Sequence, residues 1–159
     1  MLVIRAAQPD DVGTILKLIR ALAEYEHEPK AALATEQDLL RDGFGAEPKF
    51  RCVIAEWDGA PVGFALYFYN YSTWKGRPGI YLEDLFVWPE YRGKGIGKAL
   101  LLHLARTAVV ENCGRYEWQV LDWSTPAIEF YEGLGAKRMK EWLPMRVEGK
   151  ALLELARKS

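Results

Sequence analysis

Two cysteines and two histidines are all that this 159-residue sequence offers to thiol or imidazole chemistry. Cys52 and Cys113 show no C-x-x-C spacing and no histidine beside them, so neither a disulfide framework nor a zinc site is indicated. Both thiols are expected to be unbridged, as in a reducing cytoplasm. An excess of one charge is also missing. Lys and Arg number 21 against 22 Asp and Glu, a net charge of -1 without any basic block, which argues against a nucleic-acid partner. No apolar run approaches the roughly 18 residues that a membrane helix requires. Met1-Leu2-Val3-Ile4-Arg5 lacks the basic start and apolar stretch of a signal peptide. These absences leave a soluble, cytoplasmic protein with no membrane partner as the expectation.

What is present fits one folded domain over residues 1–159. Hydrophobic residues make up 50% of the chain and charged residues 27%, ordinary values for a packed globular core. Leu2–Arg5 reads as a short strand. Gln8-Pro9-Asp10-Asp11 opens a helix whose core face is Val12, Ile15, Ile19 and Leu22, and Pro29 ends that segment. Glu24, Glu26 and Glu28 cluster there around Tyr25, either as a solvated helix end or as part of a binding site. Thr35 is placed to cap a second helix through Leu40. Arg51–Trp57 and Pro61–Tyr69 then form an antiparallel hairpin about the Asp58-Gly59 turn.

The densest information lies between Tyr81 and Ala105. Tyr81, Leu85, Phe86, Val87 and Trp88 have the aromatic and β-branched character of a buried strand, which Pro89 stops. Arg92-Gly93-Lys94-Gly95-Ile96-Gly97-Lys98 follows and runs directly into Ala99-Leu100-Leu101-Leu102-His103-Leu104-Ala105, strong helix-forming sequence. Glycines before a helix N-terminus, with three cations among them, describe a pyrophosphate site. The spacing matches neither G-x-x-x-x-G-K-[ST] nor G-x-G-x-x-G. Arg115–Leu121 reads as the next strand, completing a parallel, right-handed βαβ unit. Ser124 is a plausible cap for a helix carrying Tyr131, closed by Gly133 and Gly135. A bent strand is expected over Met139–Val147 and a helical tail over Ala151–Ala156.

The Arg92-x-x-Gly95-x-Gly97 string after a strand resembles the acyl-CoA signature of the GNAT acetyltransferases. The run from Ser124 to Ala136 is similar to the second signature of that family, in the same order. Tyr81-Leu82-Glu83-Asp84, Leu39-Leu40-x-Asp42-Gly43-Phe44-Gly45 and Asp122-Trp123 resemble its diamine branch, the spermidine/spermine and thialysine N-acetyltransferases. Ser124 departs from that branch, which usually has Asn there. The resemblance implies a GNAT-like α/β fold: a mixed central sheet with a parallel βαβ acyl-CoA unit, flanked by helices. It also implies acetyl-CoA as co-substrate, no metal, a homodimer, and two neighbouring strands that splay to admit the pantetheine arm.

Position by position, the resemblance assigns Leu85, Phe86 and Val87 to the acetyl and pantetheine amides. Arg92, Gly93, Lys94, Gly95, Ile96, Gly97 and Lys98 would hold the pyrophosphate, and Ser124, Thr125, Pro126 and Ala127 the CoA arm. Tyr131 matches a catalytic acid and Glu83 a catalytic carboxylate that relays the amine proton. Tyr25, Glu26, Glu83, Asp84, Glu117, Trp118 and Gln119 match amine-site positions. The reaction implied is N-acetylation of a primary amine on a small aliphatic diamine, polyamine or lysine-like substrate. The alternative is an idle acyl-CoA-binding module serving sensing or assembly.

Overall fold

The computed structural model describes all 159 residues, which divide into two compact units, Met1–Gln119 and Val120–Ser159. The first unit carries a five-stranded sheet. Its strands are β1 (Leu2–Ala6), β2 (Arg51–Trp57), β3 (Ala60–Ser72), β4 (Arg77–Val87) and β5 (Tyr116–Trp118), lying in that order. The first four pair antiparallel, and β4 and β5 pair parallel. The β2–β3 hairpin turns on Asp58 and Gly59, both with positive φ (50° and 85°), the geometry of the tight turns that match strand twist. The helix between β4 and β5 is α3 (Ile96–Val110), which makes the expected βαβ unit.

Two helices precede β2. α1 (Val12–Tyr25) begins after a single tight turn over Pro9–Asp11, where Arg5 holds the Asp11 carboxylate through Nη1 and Nη2 at 2.8 and 2.9 Å. α2 (Glu36–Phe44) is capped by Thr35. Its hydroxyl accepts from the Asp38 amide at 3.1 Å while the Asp38 carboxylate accepts from the Thr35 amide at 2.9 Å, so two orphan donors are satisfied reciprocally. Ile15, Leu16 and Leu18 of α1 and Leu39 of α2 pack on Cys52, Ile54, Phe64, Leu66 and Phe86 of the sheet. Phe64 is fully buried there. Truncating it to Ala should cost about 3–5 kcal/mol. Ile96, Leu100, Leu101, Leu104 and Ala108 bury the inner side of α3.

A break in register decides which residues of β4 share a face. Asp84 pairs with Leu66, but Tyr67, the next residue of β3, pairs with Leu82, so Glu83 is an extra residue in a bulge. Simple alternation would put Asp84 on the same side as Leu82 and Ile80. The bulge instead sets it beside Leu66 and Phe86, on the face covered by α1 and α2. Tyr81 lies on that face too, its ring stacked 5.2 Å from that of Phe68.

The second unit contains α4 (Thr125–Gly133) and α5 (Gly149–Ala156). The strand expected over Met139–Val147 does not form. These residues pair with no strand, and Met139, Trp142, Leu143, Met145 and Val147 are exposed. Apolar content suits an extended conformation, but a strand exists only against a partner that takes up its backbone hydrogen bonds. The strand anticipated over Arg115–Leu121 is likewise reduced to Tyr116–Trp118, the three residues that pair with β4.

Candidate active site

The β4–α3 junction is built by backbone conformation. Gly93 and Gly95 have φ of 82° and 78°, left-handed values that glycine adopts without penalty. Gly95 caps α3, its carbonyl accepting from the Ala99 amide at 2.9 Å. The Ile96, Gly97 and Lys98 amides then occupy the first helical turn, where no intrahelical acceptor exists. Buried Ile96 anchors that turn to the core, while Lys94 and Lys98 are exposed. Arg92 works on the protein side: Nε donates to the Val87 carbonyl at 3.0 Å, and the guanidinium lies 5.1 Å from the Phe86 ring and 5.2 Å from the Tyr25 ring. It fixes the turn to the end of β4. The Lys94 ammonium sits 5.2 Å over the Trp57 ring.

Space at this turn fits a ligand phosphate. A Cβ at Gly93 or Gly95 would meet no atom within 4 Å, and one at Gly97 would meet only Val87 Cγ2, at 3.9 Å. Gly97 is therefore required neither by positive φ nor by a neighbouring protein atom, although glycine disfavours a helix by about 1 kcal/mol relative to alanine. The space over this turn is open to a group approaching from outside. The preceding strand is also open. β4 pairs with β5 only through Ile80, Tyr81 and Leu82, so Leu85, Phe86 and Val87 have no strand on that edge.

Three carboxylates lie along the same region. Glu83 in the bulge is exposed, while Asp84 is half-buried. Burial, then the charges of Glu83 and Glu26, pushes the Asp84 carboxyl up to about 7. Burial, then Glu83, also raises Glu26 at the end of α1. These mutual effects bring Glu26, Glu83 and Asp84 into one electrostatic group, poised to share a proton or to attract a cation. Tyr25 beside Glu26 is half-exposed. The buried Cys52 thiol is pushed up by burial and by Asp11 and Asp84, which keeps it un-ionised and inert.

Glu117 and Trp118 diverge because adjacent strand residues point to opposite faces. Trp118 lies with Tyr116, their rings 4.9 Å apart, and the Tyr116 hydroxyl donates to the Leu101 carbonyl of α3. Glu117 is on the other face, opposite Tyr81, where its Oε1 forms an ion pair with Arg115 Nε at 3.0 Å and accepts from Asn70 Nδ2 at 3.1 Å. Gln119 is exposed. Neither Asn70 nor Arg115 stands out in the sequence. The period-two spacing Phe64, Leu66, Phe68, Asn70 is the one signal that places Asn70 on this face.

In the second unit, Ser124 stands at the start of α4. Its amide donates to the Leu121 carbonyl and its own carbonyl accepts from Ile128, each at 3.0 Å, but its hydroxyl makes no capping bond. Thr125, Pro126 and Ala127 form the first turn. Tyr131 is half-buried one turn further on, with its ring 5.5 Å from that of Phe130. No group of three or more His, Cys, Asp or Glu is arranged to hold a metal ion, and no helix is long and apolar enough to cross a membrane.

A mixed sheet with a parallel βαβ unit, a glycine turn at the α3 N-terminus and carboxylates on the preceding strand are the features of an acyl-CoA-dependent transferase. The acetyltransferase (GNAT) family signature spans residues 15–136, and the chain belongs to that family. It is 45% identical over 166 residues to the thialysine N-epsilon-acetyltransferase of Bos taurus, covering 98% of this chain and 97% of that protein. It is 37% identical over 163 residues to the spermidine/spermine N(1)-acetyltransferase-like protein 1 of Homo sapiens, covering 96% of this chain and 23% of that longer protein. Among solved structures, an integron cassette protein from the mobile metagenome of V. cholerae superposes with a TM-score of 0.83 at 30% identity, covering 99% of this chain and 98% of that one. The protein is thus an acetyltransferase, and acetyl-CoA is the donor that enzymes of this family use.

Proposed function

We propose that this enzyme acetylates a primary amine of a small aliphatic acceptor with a second charged group: a diamine, a polyamine or a lysine-like compound such as thialysine. The observation that carries the proposal is the Glu26–Glu83–Asp84 group, set on and beside the strand that leads into the glycine turn. Clustered negative charge concentrates a multiply charged amine and disfavours a neutral arylamine. The relatives named for thialysine and for spermidine/spermine are consistent with that acceptor class.

Acetyl-CoA supplies the activated acetyl group as a thioester. The first-turn amides of α3, with Arg92, Lys94 and Lys98, hold its pyrophosphate, and the open edge of Leu85–Val87 offers backbone groups to the pantetheine amides and the acetyl carbonyl. The side chains then manage protons. An alkylammonium of pKa near 10.4 costs roughly 4 kcal/mol to neutralise at pH 7.4. Glu83, backed by Asp84 and Glu26, accepts that proton, and the neutral nitrogen attacks the thioester carbon. As the carbon–sulfur bond breaks, the Tyr131 phenol donates its proton to the departing thiolate. Ser124–Ala127 contact the CoA arm, and the two units work as one acetyltransferase domain.

A cytoplasmic homodimer is the assembly we assign, without a nucleic-acid or membrane partner. The support for a dimer is the apolar surface of the second unit, where Trp142, Leu143, Met145, Leu152, Leu153 and Leu155 are all exposed. Light scattering on the purified protein should give twice the chain mass. For activity, release of free CoA thiol across a panel of amines should show highest kcat/KM for aliphatic acceptors bearing a second charge. Equal rates with a neutral arylamine would defeat this acceptor assignment. Acetyl-CoA binding without turnover on any amine would favour the idle binding module.

A further inference from the structure

The glycine turn before α3 has few side chains of its own to hold it in one conformation. Gly93, Gly95 and Gly97 carry none, and no atom lies within 4 Å of where a Cβ on Gly93 or Gly95 would stand. Such a segment loses much conformational entropy when it is ordered around a ligand. Two of its cations, however, each meet an aromatic ring delivered by another element. The Arg92 guanidinium, tied through Nε to the Val87 carbonyl, lies 5.2 Å from the ring of Tyr25, the last residue of α1. The Lys94 ammonium lies 5.2 Å over the ring of Trp57, the last residue of β2. Arg92 and Lys94 flank Gly93, whose φ is 82°, so the two contacts grip the chain on either side of a left-handed residue.

We propose that Tyr25 and Trp57 are positioning residues of the donor site, whose rings hold Arg92 and Lys94 and so set the glycine turn before acetyl-CoA arrives. This inference rests on the placement of the acetyl-CoA pyrophosphate at that turn. It moves Tyr25, which the family resemblance groups with the acceptor, to the donor side, and it gives Trp57 a part in binding. The physical basis is preorganisation. Arginine and lysine side chains have many rotamers, and a turn with three glycines has many backbone conformations. Restricting both in the free protein removes a cost that binding would otherwise carry. The attraction of a cation to a ring face is large enough to shift such an equilibrium several-fold, and it needs the ring rather than the phenol hydroxyl. Tyr25 is half-exposed, so exchanging it removes a surface contact and leaves the core, including buried Phe86, in place.

Calorimetry with acetyl-CoA on the purified protein tests this without turnover. Tyr25→Leu and Trp57→Leu keep apolar bulk but lose the ring, and each should raise the acetyl-CoA Kd roughly threefold to tenfold. Tyr25→Phe and Trp57→Phe keep a ring and should recover most of the affinity. Tyr25→Leu should add little to Arg92→Gln, and Trp57→Leu little to Lys94→Gln, because each pair acts as a unit. In the ligand-free protein, amide hydrogen exchange at residues 93–97 should quicken in the ring-free variants while β3 exchanges as before, which separates release of the turn from general destabilisation. In steady-state kinetics the change should fall on KM for acetyl-CoA and not on KM for the amine. A Kd that is unchanged or lower in either ring-free variant overturns the inference, as does a rise confined to the amine KM, which would return Tyr25 to the acceptor. Unchanged affinity in both Arg92→Gln and Lys94→Gln would instead overturn the pyrophosphate placement itself.

Discussion

Replacing Asp84 by asparagine should make the protein more stable, by an amount that depends on pH. In the folded chain, burial and the neighbouring Glu83 and Glu26 raise the Asp84 carboxyl from its ordinary 3.8 to about 7. Below the lower value the group is protonated in both folded and unfolded chains and contributes nothing. As pH rises between the two, the unfolded chain releases a proton that the folded chain still holds, so the folded state loses ground. Above about pH 7 the loss is complete. At about 1.4 kcal/mol for each pH unit of that interval, it amounts to roughly 4 kcal/mol, less whatever local relaxation recovers. The side-chain amide introduced by Asp84→Asn carries no charge and escapes the penalty. Equilibrium urea unfolding at pH 5, 6.5 and 8 would measure it. The stability advantage of Asp84→Asn should widen by roughly 2–3 kcal/mol from pH 5 to pH 8, while activity falls. An advantage that is constant across this range, or that narrows, would show that Asp84 is ionised normally and refute the coupling among the three carboxylates.

Further outcomes follow from individual contacts. Gly97→Ala should raise stability by up to about 1 kcal/mol while weakening acetyl-CoA binding about tenfold or more, read by melting and calorimetry on one sample. Gly95 is a poorer probe, because its φ of 78° confounds ligand loss with backbone strain. Tyr131→Phe should lower turnover by roughly two to four powers of ten with acetyl-CoA affinity nearly unchanged, and turnover within threefold of wild type would assign the proton to another donor. Glu26→Gln should raise KM for acceptors with a second ammonium more than for a monoamine, which steady-state kinetics on matched chain lengths would show.

Local chemistry made much of this molecule legible in advance. The Pro89 stop, the Arg92–Lys98 turn, the Thr35 cap and the Asp58-Gly59 hairpin each depend on a few adjacent residues, and each is where the sequence implied. The helical face of α1 was nearly right: Ile15 is buried, with Val12, Ile19 and Leu22 packed around the core edge. Features that depend on a distant partner were not legible. Met139–Val147 has the apolar content of a strand, yet pairing decides strands, and no strand of this chain pairs with it. Glu117, Trp118 and Gln119 look like one patch in sequence, but sheet geometry sends Glu117 and Trp118 to opposite faces. The Asn70–Glu117–Arg115 clasp joins two separate chain segments across a glycine, a relation that no local pattern encodes.

The bulge at Glu83 has a consequence for how the activity is tied to the scaffold. Because Leu82 faces Tyr67 and Asp84 faces Leu66 on either side of it, residue 83 is supernumerary to the ladder. Deleting it would restore an uninterrupted alternation and leave Leu85, Phe86 and Val87 opposite the same partners. On the mechanism proposed above, acid–base function is therefore modular with respect to the architecture: a one-codon deletion should yield a folded protein that still binds acetyl-CoA but lacks the proposed proton acceptor. The same arithmetic runs in reverse for an engineer, who could add a carboxylate to an inert sheet by insertion and leave its packed layers untouched.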